Sequence, residues 1–263
     1  MLISLGLVLA FMTAVMLAAW AYGLRVRNGG WTDVFWTFGS GAALAGAALL
    51  HDLPSSPRQW LVAGLVALWS IRLGSYLAVR VAGHPEDPRY ARFREDFGAD
   101  YRRRMLGVTL AQAPATALLA VSVLVAAGRP EPGLDLRDAA GVALLVIALA
   151  GEALADAQMK RFRADPANKG KIAETGLWAW SRHPNYFFEW LAWLAYPALA
   201  FDPARPITWL SLTAPLVMYL LLTRVSGIPP LEASMLRSRG EAFRSYQLRV
   251  SSFFPLPPKR PRP

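Results

Sequence analysis

The feature that most constrains the fold of this chain is a series of seven long stretches with almost no charged residues. Each comes near the roughly 20 apolar residues that a helix needs to cross a bilayer core, and backbone groups in lipid must be satisfied within the segment. Hydrophobic residues make up 54% of the chain and charged residues 17%, against about 25% charged residues in soluble domains. We therefore predict an all-α polytopic membrane protein, a bundle of seven transmembrane helices. The predicted spans are 2–24, 31–50, 59–81, 105–127, 139–159, 186–201 and 206–223.

The placement of the basic residues predicts the orientation of this bundle. With the N-terminus outside, 23 of the 28 Lys and Arg residues fall in cytoplasmic segments and four fall outside, as the positive-inside rule requires. Arg25 and Arg27 follow the first apolar stretch instead of preceding it, which favours a retained span over a cleaved signal peptide. We predict an outside N-terminus and a cytoplasmic C-terminus.

Composition also limits the partners and the chemistry. The chain has no cysteine, which excludes disulfides and thiolate metal sites, and we predict no metal site. The net charge of +10 does not indicate nucleic acid, because the basic residues lie in short segments between apolar stretches. Membrane lipids are the expected partners of those segments. We predict one membrane domain, 1–258, followed by a basic, Pro-rich tail at 259–263.

The segment 156–193 has the polar residues that most strongly indicate a binding site. Asn185, Glu189 and Trp193 are spaced by four residues and form one stripe on a helix. A carboxylate in a membrane-embedded stripe is costly unless it faces a partner or a cavity. Pro184 is placed to begin that helix. Six basic residues surround its start, which together predict a socket for a phosphorylated cofactor: Lys160, Arg161, Arg163, Lys169, Lys171 and Arg182.

Two simpler interpretations stay open at this point. Basic loops beside membrane spans usually serve topology and anionic lipids, and a lone histidine such as His183 is more often structural than catalytic. The C-terminal stretch 231–250, which we expect to be helical and broken near Gly240, is by itself typical of an anchor on the membrane surface.

The two segments together resemble a known superfamily. The motifs SRHPNYFFEW at 181–190 and RGEAFRSYQLRVSSFFP at 239–255, with Glu232 between them, are similar to the C-terminal half of steroid 5α-reductases. They are closest to bacterial members described as a related domain of unknown function. Sterol Δ14-reductases and isoprenylcysteine carboxyl methyltransferases carry related patterns. The resemblance is strong over 156–258, and it is weaker in WSIRLGSYLAVR at 69–80 and HPEDPRY at 84–90.

The resemblance implies a seven-helix bundle that holds NADPH in its cytoplasmic half, about 156–258, and takes a lipid-like substrate from the membrane. There is no glycine-rich dinucleotide fingerprint, and such a membrane pocket would not need one. The residues that we predict on this basis to bind the cofactor are Arg72, Asp156, Lys160, Arg163, Lys171, Trp178, Arg182, His183, Asn185, Tyr186, Glu189, Trp193, Glu232 and Tyr246.

The resemblance also implies a reaction. In 5α-reduction a hydride moves from the nicotinamide to the β-carbon of an enone, and an acid stabilises the developing enolate oxygen. The steroid enzymes use a Tyr of the third span and a Glu of an earlier span. Here the matching third-span residue is Trp69, which can donate a hydrogen bond but not a proton. The catalytic residues that we predict are Asp33, Trp69 and Tyr76.

Three functions are compatible with these residues and motifs. The first is an NADPH-dependent reductase of a C=C bond conjugated to a carbonyl in a steroid-like or other hydrophobic substrate. The second is a membrane methyltransferase of the isoprenylcysteine type that uses S-adenosylmethionine. The third is a non-catalytic membrane scaffold, which Trp69 motivates. The high Ala and Arg content is compatible with a bacterial inner membrane, which is the expected location.

Overall fold

A computed structural model describes residues 1–51, 55–131 and 133–259. The described residues form helices and contain no β-strand, apart from one isolated bridge between Ser181 and Ser251. The α-helices are α1 (Leu2–Val26), α2 (Trp31–Leu49), α3 (Pro57–Val81), α4 (Pro88–Phe97), α5 (Tyr101–Leu110), α6 (Gln112–Ala127), α7 (Leu136–Ala164), α8 (Pro184–Trp193), α9 (Ala195–Ala200), α10 (Thr213–Leu220) and α11 (Ile228–Arg249). The prediction of an all-α fold is confirmed. Residues 260–263 of the predicted tail lie outside the described residues.

Five segments of the described chain are long and apolar enough to cross a membrane. They are Leu2–Val26, Pro57–Val81, Pro88–Ala127, Leu136–Ala164 and Pro206–Arg249. The chain is therefore an all-helical protein with several potential transmembrane helices. The predicted span 31–50 coincides with α2, a helix of 19 residues that is not among the five.

Three of the predicted spans are interrupted, and in each case a proline is the third residue of the helix that follows the interruption. Proline has no backbone N–H, and its ring clashes with the carbonyl group four residues earlier. Pro114 follows the end of α5 at Leu110 by four residues, and Pro197 follows the end of α8 at Trp193 in the same way. The predicted span 186–201 is thus divided between α8, with 10 residues, and α9, with six. Around Pro215, the span 206–223 combines a 3₁₀-helix, α10 and a π-helical turn.

The described chain groups into two compact units. The first unit contains Met1–Val142 and Ala195–Val217, and the second contains Ala143–Leu194 and Met218–Pro263, of which the structure describes the part up to Lys259. Each unit is described by itself below.

In the first unit, α1 buries one stripe and exposes the rest of its apolar surface. Val8, Met12, Met16 and Ala19 are buried at intervals of three or four residues, which places them on one side of the helix. Leu2 and Ile3 are 82% exposed. An apolar exposed face of this kind is suited to lipid and not to water.

Helices α2 and α3 of the first unit approach each other closely at small side chains. A Cβ atom at Gly41 would lie 2.0 Å from the Oγ atom of Ser70, so only glycine fits there. Ser70 Oγ donates a hydrogen bond to the carbonyl oxygen of Thr37 at 3.0 Å. Small residues at such contacts are typical of helix packing in membranes, where close backbone approach replaces the hydrophobic driving force.

Candidate functional site

The second unit contains a pocket of about 410 Å³ between the end of α7, the following loop and α11. Its apolar lining includes Met159, Phe162, Ile172 and Met235. The four basic residues in the lining are Arg163, Lys169, Lys171 and Arg239. This volume lies within the range of roughly 300–1,000 Å³ that is usual for small-molecule sites. The combination of an apolar floor and several cations can accommodate a ligand with a flat ring and negatively charged groups.

Local backbone chemistry forms the loop wall of this pocket. Asp165 accepts a hydrogen bond from the backbone N–H of Ala167 at 2.9 Å, and the Asn168 amide donates to the carbonyl oxygen of Phe162 at the end of α7 at 3.1 Å. Gly170 has φ of 81°, which glycine adopts without the steric cost that a side chain brings. The turn at Gly170 places Lys169 and Lys171 on either side of it in the pocket wall.

Helix α11 is joined to that wall by Arg239. Its Nε atom donates to the carbonyl oxygen of Lys171 at 3.3 Å. A buried cluster of Phe243, Tyr246 and Val250 lies beside it, and Ile172 and Met235 pack against this cluster. The pocket is therefore formed partly by α11, which packs against this buried cluster, and not by the loop alone.

A second group of predicted residues is brought together around the carboxylate of Glu232. The Arg182 guanidinium donates to both Glu232 carboxylate oxygens, at 2.7 and 3.2 Å. The Gln247 amide donates to the same carboxylate at 2.7 Å, and the His183 Nε2 atom lies 3.0 Å from it. Such two-pronged pairs are strong and directional. The sequence predicted Arg182, His183 and Glu232 for one site, but not that they contact one another or that Gln247 joins them.

Burial lowers the pKa of His183, and the hydrogen bond to Glu232 offsets part of that effect. The neutral imidazole is thus favoured at neutral pH. Because a carboxylate can only accept hydrogen bonds, the proton of the neutral ring is assigned to Nε2. The ring stacks on Tyr186 with a centroid distance of 5.5 Å. The His183 ring is therefore held between the Glu232 carboxylate and the Tyr186 ring.

Hydrogen bonds join the end of α11 and the segment after it to the loop that precedes α8. Arg182 donates through its backbone N–H to Ser251 at 2.8 Å and through its guanidinium to Gln247 at 3.1 Å and to Val250, in each case to a carbonyl oxygen. Ser181 Oγ donates to the carbonyl oxygen of Phe253 at 2.8 Å. Tyr246 and Trp178 are joined in the same region, since the Tyr246 hydroxyl donates to the Trp178 carbonyl oxygen at 2.5 Å.

Helix α8 carries the predicted polar stripe. It begins at Pro184, as predicted, and Asn185, Glu189 and Trp193 lie on it at helical spacing. Glu189 is 6% exposed, and the Trp193 indole donates to its carboxylate at 3.1 Å. On residues 143–164 of α7, Asp156 is 6% exposed, whereas Lys160 is exposed. Trp178 donates from its indole to the Ala155 carbonyl oxygen at 3.1 Å.

The remaining predicted residues belong to the first unit. The Asp33 carboxylate accepts hydrogen bonds from Arg89 at 2.8 Å and from the Tyr90 hydroxyl at 2.7 Å. Trp69 is 1% exposed, and its ring meets that of Trp36 edge-on at 6.0 Å. On α3, the guanidinium carbon of Arg72 lies 5.6 Å from the centre of the Tyr76 ring.

Sequence reasoning did not assign Arg239 or Gln247 to the site and treated Lys169 only as part of the basic rim. Arg239 lies 68 positions or more from the other cations of the pocket, so no local pattern connects them. The nearest signal in the sequence is Gly240, which directly follows Arg239 and marks a kink in α11.

The sequence was also compared with known proteins. The family described as "Protein of unknown function (DUF1295)" matches residues 19–250, most of the chain. The chain belongs to the DUF1295 family. No curated protein and no solved structure matches it. The DUF1295 region includes every residue predicted above to bind a cofactor or to act in catalysis.

Proposed function

We propose that this DUF1295 protein is a membrane-embedded NADPH-dependent reductase of a C=C bond conjugated to a carbonyl group in a steroid-like or other hydrophobic substrate. The observation that carries the proposal is the pocket of the second unit, in which Arg163 and Lys171 meet Lys169 and Arg239. The first two are residues that the resemblance to steroid 5α-reductases assigns to NADPH. The proposal includes seven spans, an outside N-terminus, a cytoplasmic C-terminus and a location in the bacterial inner membrane.

The chemistry of the pocket fits one end of the proposed cofactor. NADPH carries a 2′-phosphate and a diphosphate, and phosphate oxygens accept charge-assisted hydrogen bonds from Arg and Lys. The adenine ring is flat and largely apolar at its faces, which suits Met159, Phe162 and Met235. Arg163, Lys169, Lys171 and Arg239 would hold the charged groups, and Asp165 is the single acidic residue of the described lining.

When bound, NADPH supplies a hydride to the β-carbon of the enone. The α-carbon then needs a proton, and the carbonyl oxygen needs a hydrogen-bond donor while negative charge develops on it. Among the three residues predicted to act in catalysis, Asp33 is engaged by hydrogen bonds from Arg89 and Tyr90, and Trp69 can donate a hydrogen bond but cannot supply a proton. Tyr76 has a hydroxyl group and is assigned the role of proton donor in this proposal.

The pocket variants Lys171→Gln and Arg239→Gln test the proposal. Each removes one cation, and a hydrogen bond to a charged group contributes about 1.5–3 kcal/mol, so NADPH affinity is expected to fall about tenfold or more. Isothermal titration calorimetry on detergent-purified protein measures this affinity. Arg244→Gln is the matched control, because Arg244 lies on the same helix, is 67% exposed and pairs with Glu241.

Three results would go against the reductase. Equal NADPH affinity in the pocket variants, the control and the unchanged protein would mean that the pocket does not hold the cofactor. Binding of S-adenosylmethionine without NADPH would identify a methyltransferase. Binding of neither would leave a scaffold as the function to be tested next.

A further inference from the structure

Nine arginines of the first unit, two at the end of α1 and seven in the segment 80–104, fall into two groups that differ in their partners. Arg80, Arg89, Arg92 and Arg94 each lie within 2.6–3.1 Å of a carboxylate oxygen. These four are neutralised by the protein itself. The second group has no such neutralisation.

The second group consists of five exposed arginines near the end of α1 and the start of α5, here called the arginine surface: Arg25, Arg27, Arg102, Arg103 and Arg104. None of the five forms an ion pair with any residue that the structure describes. The carboxylates nearest to them in sequence are Asp100, which pairs with none of the five, and Asp33 and Asp96, which pair with Arg89 and Arg92 instead. The surface therefore carries five uncompensated positive charges.

Packing of α1 against α5 brings these arginines to one place. The Trp20 indole on α1 donates a hydrogen bond to the Arg102 carbonyl oxygen at 3.0 Å, and the Arg102 guanidinium lies 5.4 Å from the Trp20 ring centre. Leu24 packs against the buried cluster of Tyr90, Tyr101 and Met105. Arg25 and Arg27 directly follow this contact at the end of α1.

Local structure does not account for the cluster. The dipole of α1 stabilises cations near its C-terminal end, where Arg25 lies. Arg102, Arg103 and Arg104 lie in the first turn of α5, where the helix dipole disfavours positive charge. Stacking on Trp20 and on Phe97 fixes Arg102 and Arg104 but leaves their charge in place. The positive charges of these arginines repel one another, and a bound anion would offset that repulsion.

We propose that the arginine surface binds the phosphate groups of anionic lipid head groups. The source is the membrane, because the surface lies at the end of α1, an apolar helix long enough to span it, and because Trp20 is of the type that marks the membrane interface. Clusters of Lys or Arg beside a span attract anionic lipids. This inference is independent of the proposed reductase activity.

Lipid binding to the detergent-purified full chain tests the inference. Native mass spectrometry would compare phosphatidylglycerol with phosphatidylcholine of the same acyl chains, and soluble glycerol phosphate would serve as a third ligand. We expect preferential binding of phosphatidylglycerol. In the double variant Arg27→Gln/Arg103→Gln, its affinity should fall about fivefold or more.

The double variant Arg92→Gln/Arg244→Gln is the matched control, since it also removes two charges but from arginines paired with Asp96 and Glu241. It should bind phosphatidylglycerol as the unchanged protein does. Equal binding of phosphatidylcholine, or equal losses in both double variants, would overturn the inference. Equal binding of glycerol phosphate would overturn the assignment to lipid. Arg103→Gln alone repeats the test if the double variant does not fold.

Discussion

At the residue scale, the most heavily buried charges of the first unit are Arg58, Arg129 and Asp138. Their side chains are 2–3% exposed. The Asp138 carboxylate accepts hydrogen bonds from Arg58 at 3.0 and 3.1 Å and from Arg129 at 2.8 Å. Arg58 also donates to the carbonyl oxygens of Arg129 and Glu131. One carboxylate thus joins the starts of α3 and α7 with the loop after α6.

Replacing the Asp138 carboxylate should strongly lower the stability of the folded protein. Asp138→Asn leaves two buried guanidinium groups without their shared counter-charge, and breaking a buried pair in this way costs about 3–5 kcal/mol. The unfolding temperature in detergent, followed by tryptophan fluorescence, should fall markedly. Asp135→Asn is the control, because Asp135 also pairs with Arg129 but is 40% exposed. Similar losses in the two variants would contradict a special role for the buried carboxylate.

His183 gives the second unit a pH dependence of known sign. Burial holds its pKa below the usual value, so the unfolded chain takes up a proton at a higher pH than the folded chain does. The stabilisation is complete above about pH 6.5, and it is lost as the pH falls from there towards the lower pKa of the folded state. The unfolding temperature should fall between pH 7.5 and 5.5, and by less in His183→Gln. His51 and His84 are present in both proteins and cancel in the comparison. An equal fall in both proteins would contradict this account.

The sequence predicted many of these residues but not their partners. The resemblance selected Arg182, His183 and Glu232 as one site, and the structure places all three in contact. The resemblance could not indicate that the Glu232 carboxylate forms hydrogen bonds with Arg182, His183 and Gln247. These contacts join residues 15 to 50 positions apart. The buried network around Asp138 had no sequence signal beyond isolated charges near span ends.

At the element scale, α11 contains a kink at Gly240. This residue has φ 50° and ψ −126° inside an otherwise helical segment, a conformation that residues with a side chain rarely adopt. The break near Gly240 was predicted from sequence and is confirmed. It separates Met235 and Arg239, in the pocket lining, from Phe243 and Tyr246 in the buried cluster.

Gly240→Ala should therefore destabilise α11 although open space surrounds the site. The cost is backbone strain of about 1–3 kcal/mol, measured as a lower unfolding temperature. Gly107→Ala is the matched control, since Gly107 lies within α5 and also has open space. There alanine favours the helix by about 0.5–1 kcal/mol. Equal changes in unfolding temperature in Gly240→Ala and Gly107→Ala would contradict this explanation.

The spans show which element features the sequence can predict. Their existence follows from apolar composition, and α1, α3 and α7 cover the predicted segments. Their continuity does not follow from composition, because a single proline is enough to end a helix. Pro114, Pro197 and Pro215 are visible in the sequence, but apolar composition alone takes no account of them. Greater attention to prolines would have predicted the division of 186–201.

At the scale of the whole molecule, the proposed reductase combines apolar helices that are long enough to cross a membrane with a pocket for a phosphorylated cofactor. The chain matches the DUF1295 family over residues 19–250, and the pocket of the second unit brings together cations that are distant in sequence. The reaction remains a proposal that depends on cofactor binding. The substrate cannot be predicted from the chain, because specificity for a hydrophobic molecule depends on the shape of a cavity and leaves no short motif.

The measurement that tests this account most directly is the binding of NADPH to detergent-purified protein, followed by nicotinamide fluorescence, with NADH and S-adenosylmethionine as comparators. We predict saturable binding of NADPH, weaker binding of NADH because it lacks the 2′-phosphate, and weaker NADPH binding in Glu189→Ala. Failure to bind NADPH, or equal affinity for NADPH and NADH, would contradict a pocket whose cations recognise the phosphorylated cofactor.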